Sequence, residues 1–148
     1  MSQRYYYDLT AGDRFDSETY SVTEKDIIEF ARQFDPQRFH LEPEFARRTL
    51  FGGLTASGWH TAAISMRLFV RTLNFADGAI GLGVDEMRWP AAVRPGDTLR
   101  VQTDIVDLRA SKSKPRFGIV RLRNTTRNQN DEIVQTMLAS ALLRKRGN

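Results

Sequence analysis

The chain has 148 residues, of which 41% are hydrophobic and 27% charged, as expected of one globular domain with a real core. It contains no cysteine, which excludes disulfides, thiolate metal sites and cysteine nucleophiles. The N-terminal residues lack the apolar core of a signal peptide, and no apolar run is long enough to cross a bilayer. We therefore expect a cytoplasmic protein without a membrane partner.

The net charge of +4 at pH 7 favours an anionic partner: nucleic acid, an acidic surface or a phosphate-bearing small molecule. The alternative is a solvated sheet face. Basic residues cluster late in the chain, at Lys112, Lys114, Arg116, Arg121, Arg123, Arg127, Arg144, Lys145 and Arg146. Nucleic-acid sites interleave aromatic side chains with such charges, and only Phe117 lies in this stretch. We therefore do not expect a nucleic-acid partner.

The first part of the chain predicts a turn at residues 11–13, a strand at 14–22 and a helix capped by Thr23. Pro36 disfavours helical backbone at Asp35, so the helix should end there. A second short helix is predicted from Glu44 to Arg48. The buried face of the first helix follows the i, i+3, i+4, i+7 pattern, which selects Ile27, Phe30, Ala31 and Phe34.

Ser57 can cap a long helix from Gly58 to about Leu73. One third of its helical wheel is apolar, which predicts a covered face there and partial cover on the other side. The apolar arc contains Trp59, Ala62, Ala63, Met66, Phe69, Val70 and Leu73. A different, narrow stripe contains His60, Arg67 and Arg71, and we interpret His60 as structural or as a contact in an oligomer, with a catalytic base as the alternative.

The second half alternates with period two. Leu99, Val101, Thr103 and Ile105 should share one face of a strand. Further strands are predicted near residues 80–89, 116–126 and 132–143, with turns or loops at 94–97, 110–115 and 128–131. This order indicates an α+β fold in one domain spanning residues 1–148, with a mostly antiparallel sheet packed against the long helix.

The stretch FDPQRFH places Asp35 five residues before His40, across a proline. A continuous helix would separate the two side chains, but a proline break lets both enter one cleft. A carboxylate and an imidazole around one water form a general acid–base pair. The alternative is a capping carboxylate with a hydrogen-bonded surface histidine.

The following stretch, FGGLTASGWH, is rich in glycine and opens the long helix at Ser57 and Gly58. Gly53 allows backbone to approach a ligand closely. Free N–H groups and the positive end of the helix dipole meet at the helix start, where they can stabilise a carbonyl oxygen that gains negative charge. Plain helix capping by Ser57 is the alternative.

Residues 34–63 resemble the MaoC-like dehydratases, which include the (R)-specific enoyl-CoA hydratases. Their motif is D-x-N-P-[LIV]-H-x5-[AS]; here Asp35 and His40 keep its spacing and Ala46 follows after five residues. The family continues through F-G to H-G-M or a similar triplet, where this chain has FGG and then SGW. Residues 84–99, VDEMRWPAAVRPGDTL, are similar to the family's later strand and turn, F-x-x-P-V-x-x-G-D.

The resemblance implies a hot-dog fold, a curled antiparallel sheet around a long central helix, in a homodimer or higher oligomer with the substrate at the subunit interface. It implies that water adds to a trans-2-enoyl thioester of coenzyme A or a carrier protein, giving a 3-hydroxyacyl thioester, or that the reverse occurs. Asp35 and His40 would be catalytic, and Gly58 with Ser57 would bind the thioester oxygen. No metal or redox cofactor is implied, and coenzyme A phosphates become a candidate ligand for the basic residues.

The chain departs from the family motif at several positions. Gln37 and Arg38 replace Asn and Pro, and Phe39 replaces a smaller aliphatic residue. Trp59 is bulkier than the usual Met. We therefore predict an unusual acyl group or the need for a partner subunit. Gly53, Trp59 and Phe39 are the residues expected to contribute to the substrate pocket.

Two other functions remain as alternatives. A hot-dog thioesterase often carries a catalytic carboxylate on the long helix, and residues 58–73 contain none. A non-catalytic acyl-thioester-binding subunit of a heterodimer would need neither Asp35 nor His40. The sequence leaves the chain length and branching of the acyl group open, and also whether the partner subunit is a second copy.

Overall fold

The computed structural model describes residues 2–147. A 3-10 helix at Tyr6–Asp8 precedes the main elements. In chain order these are β1 Arg14–Asp16, β2 Tyr20–Ser21, α1 Glu24–Phe34, α2 Arg38–Leu41, α3 Pro43–Ala46, α4 Gly58–Leu73, β3 Ile80–Arg88, β4 Thr98–Ala110, β5 Phe117–Arg127 and β6 Ile133–Arg144.

All strand pairs in the sheet are antiparallel, in the order β1-β4-β5-β6-β3, and β2 also pairs with β4. Register shifts interrupt β3 and the centre of β4, and such bulges increase the local twist of a sheet. α4 packs against β1, β4, β5 and β6. The predicted α+β hot-dog architecture, a curled sheet around a long helix, is confirmed.

The core between α4 and the sheet contains two apolar clusters. On the inner face of β4, Val101 belongs to one cluster and Ile105 to the other. Thr103 lies between them, is buried, and donates a hydrogen bond of 2.6 Å to the side-chain oxygen of Asn124 on β5. The core therefore has a polar layer, in which buried hydroxyls and amides depend on one another for hydrogen bonds.

The sequence correctly predicted the N-cap and the end of α1 and the alternating burial along β4. Thr23 accepts a hydrogen bond of 3.1 Å from the backbone N–H of Asp26, and α1 ends at Phe34, before Asp35. The burial of alternate residues from Leu99 to Ile105 confirms the period-two prediction. Phe34, however, was expected on the buried face and is 69% exposed, because the chain turns away directly after it.

Two predicted elements have different bounds. The strand at 14–22 is interrupted, since β1 ends at Asp16 and β2 begins at Tyr20. The helix predicted at Glu44–Arg48 is α3, Pro43–Ala46, because Pro43 occupies its first turn and starts it one residue earlier. α2, which directly precedes α3, was not predicted.

The buried side of α4 differs from the predicted apolar arc. Phe69 and Leu73 are buried as expected, but Trp59, Met66 and Val70 are 47–60% exposed. The sheet side also includes polar residues, and the hydroxyl of Ser65 lies 2.7 Å from that of Thr126. Hydroxyls enter this core because they pair with one another, which a hydrophobicity wheel does not show. Among residues 2–147, no helix is long and apolar enough to span a membrane.

Candidate active site

The proline break brings Asp35 and His40 together. Asp35 follows α1 with a non-helical backbone (φ −152°, ψ 68°), and its N–H still donates to Ala31. After Pro36 the chain enters α2, which carries His40 with a 5% exposed residue surface. The Nε2 atom of His40 lies 3.4 Å from Oδ2 of Asp35. The two side chains therefore form one cluster.

The other ring nitrogen of His40 sets its tautomer. Nδ1 lies 2.6 Å from the backbone carbonyl oxygen of Thr55. A carbonyl oxygen only accepts, so Nδ1 must carry the proton and donate. In the neutral imidazole, Nε2 is then an unprotonated acceptor facing Asp35. When the ring is neutral, the nitrogen beside the carboxylate is therefore the one that can accept a proton.

Asp35 is held as a carboxylate. Partial burial alone would raise its pKa, but hydrogen bonds from the side chains of Ser57 and Gln37, with the nearby His40, hold the pKa of Asp35 below its ordinary range. The bond from Nε2 of Gln37 to Oδ1 measures 2.7 Å. Gln37, a departure from the family motif, thus takes part in orienting Asp35.

The N-terminus of α4 lies at the same site. The fully buried Ser57 accepts a hydrogen bond of 3.2 Å from the backbone N–H of Trp59, which confirms it as the helix cap. The N–H groups of His60 and Thr61 donate to the carbonyl oxygen of Ser57. Within residues 2–147 the Gly58 N–H has no acceptor, so it is available to a ligand at the positive end of the helix dipole.

A cavity of about 480 Å³ joins these groups. Asp35, Gln37, His40 and Gly58 supply its polar wall. The remainder is largely apolar, from Leu50, Phe51, Thr55, Ala56, Trp59, Thr61, Trp89, Pro90, Ala91, Ala92 and Val93. An apolar pocket with a few convergent polar groups is typical of a site for a small organic substrate.

The predicted pocket residues divide into two groups. Trp59 lines the cavity, whereas Gly53 and Phe39 lie outside its lining in the described part of the chain. Phe39 packs edge-to-face on His40, with ring centroids 4.6 Å apart, and so helps to hold the imidazole in position. Gly53 lies beside Arg94. Ser57 is also outside the lining, and its hydroxyl contributes to the site by lowering the pKa of Asp35 through a hydrogen bond.

Sequence reasoning missed Thr55, whose carbonyl orients His40, and Trp89, which lines the cavity. Thr55 acts through its backbone carbonyl. Every residue type has this group, so the sequence gives no signal for it. Trp89 does fall in the stretch VDEMRWPAAVRPGDTL, and an aromatic residue next to a proline before a turn was the available signal.

The second histidine is separate from this cavity. His60 is 7% exposed and stacks on Phe30, with centroids 4.6 Å apart and planes inclined by 6°. Burial lowers the pKa of His60, and Asp26 opposes this only in part. Its Nδ1 has no hydrogen-bond partner in the described residues. This placement agrees with the structural interpretation of His60.

The late basic residues do not line the cavity within residues 2–147. Several are paired with carboxylates elsewhere: Arg121 with Asp85, Arg144 with Asp77, and Arg146 with Asp8. The same part of the chain contains no group of three or more acidic or histidine side chains placed to hold a metal ion.

Comparison with known proteins connects this geometry to a family. The model of the MaoC-like domain matches residues 8–128. A MaoC-like dehydratase from Rhodospirillum rubrum has 48% identity and a TM-score of 0.93, over 98% of this chain and 99% of that one. The (R)-hydratase PhaJ1 from Pseudomonas aeruginosa has 25% identity and a TM-score of 0.80, over 96% and 86% of the two chains.

Among curated proteins, the uncharacterised YdeM of Bacillus subtilis is 30% identical over 139 residues, 93% of this chain and 97% of its own length. The family model and the hydratase neighbours support a hydratase or dehydratase kind of function. Because the family model covers most of the sequence, including the FDPQRFH loop and the start of α4, this chain belongs to the MaoC-like dehydratase family.

Proposed function

We propose that this protein adds water to a trans-2-enoyl thioester, giving a 3-hydroxyacyl thioester, or catalyses the reverse elimination. One observation carries the proposal: Asp35, His40 and Gly58 all line one largely apolar cavity, with Nε2 of His40 3.4 Å from Asp35 and no acceptor for the Gly58 N–H among residues 2–147. The proposed substrate is an acyl thioester of coenzyme A or of a carrier protein.

The acid–base pair is arranged to hold a water molecule. At 3.4 Å, a carboxylate oxygen and an unprotonated Nε2 cannot hydrogen-bond to each other directly, since both are acceptors. A water that donates one hydrogen to each satisfies both. Its oxygen lone pairs are then directed away from Asp35 and His40 and toward a substrate in the cavity.

In the hydration direction, this water oxygen bonds to C3 of the enoyl group while Asp35 or His40 takes its proton. The C2–C3 π electrons move toward C1, and negative charge collects on the thioester oxygen. The Gly58 N–H and the dipole of α4 are placed to stabilise that charge. The proton taken by Asp35 or His40 then passes to C2, which completes the net addition of water and returns the pair to its starting state. Dehydration follows the same steps in reverse.

The direct test is loss of the conjugated enoyl-thioester absorbance with crotonyl-CoA, with the product identified by mass spectrometry. We expect a product heavier by one water and no release of free coenzyme A. Release of free thiol from a saturated acyl-CoA would instead support a thioesterase. Binding without turnover of any enoyl thioester, by folded protein, would support a non-catalytic subunit.

We also propose that a second copy covers the exposed face of α4 and β3. Trp59, Met66 and Val70 on α4 are exposed, and so are Ile80, Leu82 and Val84 on β3, each by 47–60%. β3 ends the sheet, so its outer edge is free to pair within the described chain. Exposed large apolar side chains in such number are typical of an interface. Light scattering after size exclusion should give twice the chain mass.

A further inference from the structure

Trp89 is the large side chain of the cavity wall that is held most firmly. It lies directly after β3 and is 40% exposed, with the indole facing both the cavity and the protein interior. Its Nε1–H donates a hydrogen bond of 2.9 Å to Oε1 of Gln135 on β6. An indole nitrogen only donates, so this bond also fixes the orientation of the Gln135 amide.

The hydrogen bond from Trp89 leaves part of the buried Gln135 amide without a partner in the described residues. The Gln135 side chain is fully buried, and its Nε2 has no hydrogen-bond partner in residues 2–147. An unpaired buried amide destabilises a fold, and a leucine or methionine would avoid the problem. The hydrogen-bond partner of the Gln135 side chain in residues 2–147 is the Trp89 indole. The geometry therefore gives Gln135 the role of anchoring this ring.

Two further contacts fix the ring. A Cβ atom on residue 58 would lie 2.7 Å from Cε2 and 2.8 Å from Cδ2 of Trp89, so the indole lies flush against Gly58. Trp59 packs edge-to-face against the same ring, with centroids 5.2 Å apart. Trp89 is therefore bounded by the helix start, by a neighbouring indole and by a buried amide.

The other large apolar residues of the lining are less constrained. Leu50 is fully exposed, so it can change rotamer at little cost, whereas Trp59 is 60% exposed and packs against Trp89. The buried residues Ala56 and Val93 are fixed but small. Trp89 is thus a large side chain, held by a hydrogen bond and by ring packing, next to the atom proposed to bind the thioester oxygen.

We propose that Trp89 is a specificity-determining residue: anchored by Gln135, it forms a rigid wall that limits the acyl group to short chains. This rests on the proposed function, since it places the thioester at Gly58. An acyl chain that extends toward Trp89 meets an indole that cannot retreat without losing its hydrogen bond and its contact with Gly58. Longer acyl chains are then excluded because they clash with the indole, not because the cavity lacks apolar surface to bind them.

The test is kcat/KM for trans-2-enoyl-CoAs of four, six, eight and ten carbons. We expect the parent to prefer four over eight carbons by at least about tenfold, the scale on which apolar pockets discriminate methylenes. Trp89→Val should raise the eight-to-four ratio by about tenfold or more. Trp89→Phe, which keeps a ring but loses the hydrogen bond to Gln135, should raise it by a smaller factor than Trp89→Val. An unchanged ratio in folded Trp89→Val would overturn the proposal.

A binding series separates this inference from the proposed function. The dissociation constants of 3-hydroxyacyl-CoAs of the same lengths are measured by calorimetry for the parent and both variants. If no enoyl thioester is turned over, a tenfold shift of the binding ratio in Trp89→Val still supports the wall. If enoyl thioesters are turned over but neither the kcat/KM ratio nor the binding ratio shifts, the proposed role of Trp89 is refuted and the proposed hydratase activity is retained. An equal factor at all lengths also refutes the wall, since Trp89 would then contact the common part of the ligand.

Discussion

Substitution of Gly58 by alanine tests the start of α4 most sharply. The new Cβ would lie 2.7–3.0 Å from three ring atoms of Trp89. Carbon atoms pack at about 3.5 Å or more, so the ring or the helix start must move by roughly 0.5–0.8 Å. If the ring moves, its 2.9 Å hydrogen bond to Gln135 lengthens beyond normal range. If the helix start moves, the Gly58 N–H leaves the position proposed for binding the thioester oxygen.

We therefore expect Gly58→Ala to lower stability by about 1–3 kcal/mol, less the small gain in helix propensity. Displacement of one oxyanion donor costs about 10²–10³-fold in rate in other enzymes, and we expect kcat/KM to fall on that scale. Urea denaturation and turnover of crotonyl-CoA measure the two effects.

Gly53→Ala is the matched control for this variant. Its Cβ would lie 3.4 Å from the end of the flexible Arg94 side chain, so it should change activity less than about threefold and stability by about 0.5 kcal/mol at most. A Gly58→Ala protein with stability and kcat/KM as close to the parent as the control would refute both the steric argument and the role of Gly58.

Three further predictions concern single positions. Ser57→Ala removes a hydrogen bond that lowers the pKa of Asp35, so the acid limb of the kcat/KM–pH profile should move to higher pH; an unmoved limb would show that Ser57 does not tune Asp35. Burial lowers the pKa of His60 from its ordinary value of 6.5, so the unfolded chain binds more protons and stability falls as pH drops through 6.5. His60→Phe should weaken this dependence in urea titrations at pH 7.5 and 5.5, and equal pH dependence in both proteins would contradict it. Gly118→Ala would place Cβ 2.2 Å from the Tyr6 ring and should cost about 1–3 kcal/mol in thermal unfolding, whereas Gly81→Ala, with nothing within 4 Å, should cost about 0.5 kcal/mol or less.

The parts of the fold that depend on neighbouring residues could be predicted from the sequence. Thr23 and Ser57 cap their helices, and Pro36 ends α1, because each acts on backbone within a few positions. Alternation along β4 showed which residues face the core. These rules also placed Asp35 and His40 on either side of a chain reversal, which is why the candidate site was found.

The face of α4 could not be predicted in the same way. A helical wheel identifies the most apolar arc, but it does not say whether the sheet or a second copy covers it. Here much of that arc, including Met66 and Val70, is exposed on the single chain. Ser65 lies against the sheet because Thr126, 61 residues away in sequence, supplies a partner for its hydroxyl.

Contacts between residues far apart in the sequence also kept part of the candidate site from being predicted. The carbonyl that orients His40 belongs to Thr55, 15 residues later, and the amide that anchors Trp89 is 46 residues beyond it. No local pattern links these pairs. The functional roles of Asp35, His40, Gly58 and the pocket residues stay predictions, as does the cytoplasmic location.

The measurement that tests the central claim most directly is turnover of crotonyl-CoA by the parent beside Asp35→Asn and His40→Gln. Both substitutions keep side-chain size closely while removing a proton acceptor that faces the cavity. We predict loss of enoyl absorbance in the parent and a fall of at least about 10³-fold in kcat/KM in each variant, with thermal stability near that of the parent. Variants that are folded and retain activity within threefold would contradict the assignment of FDPQRFH as the catalytic loop.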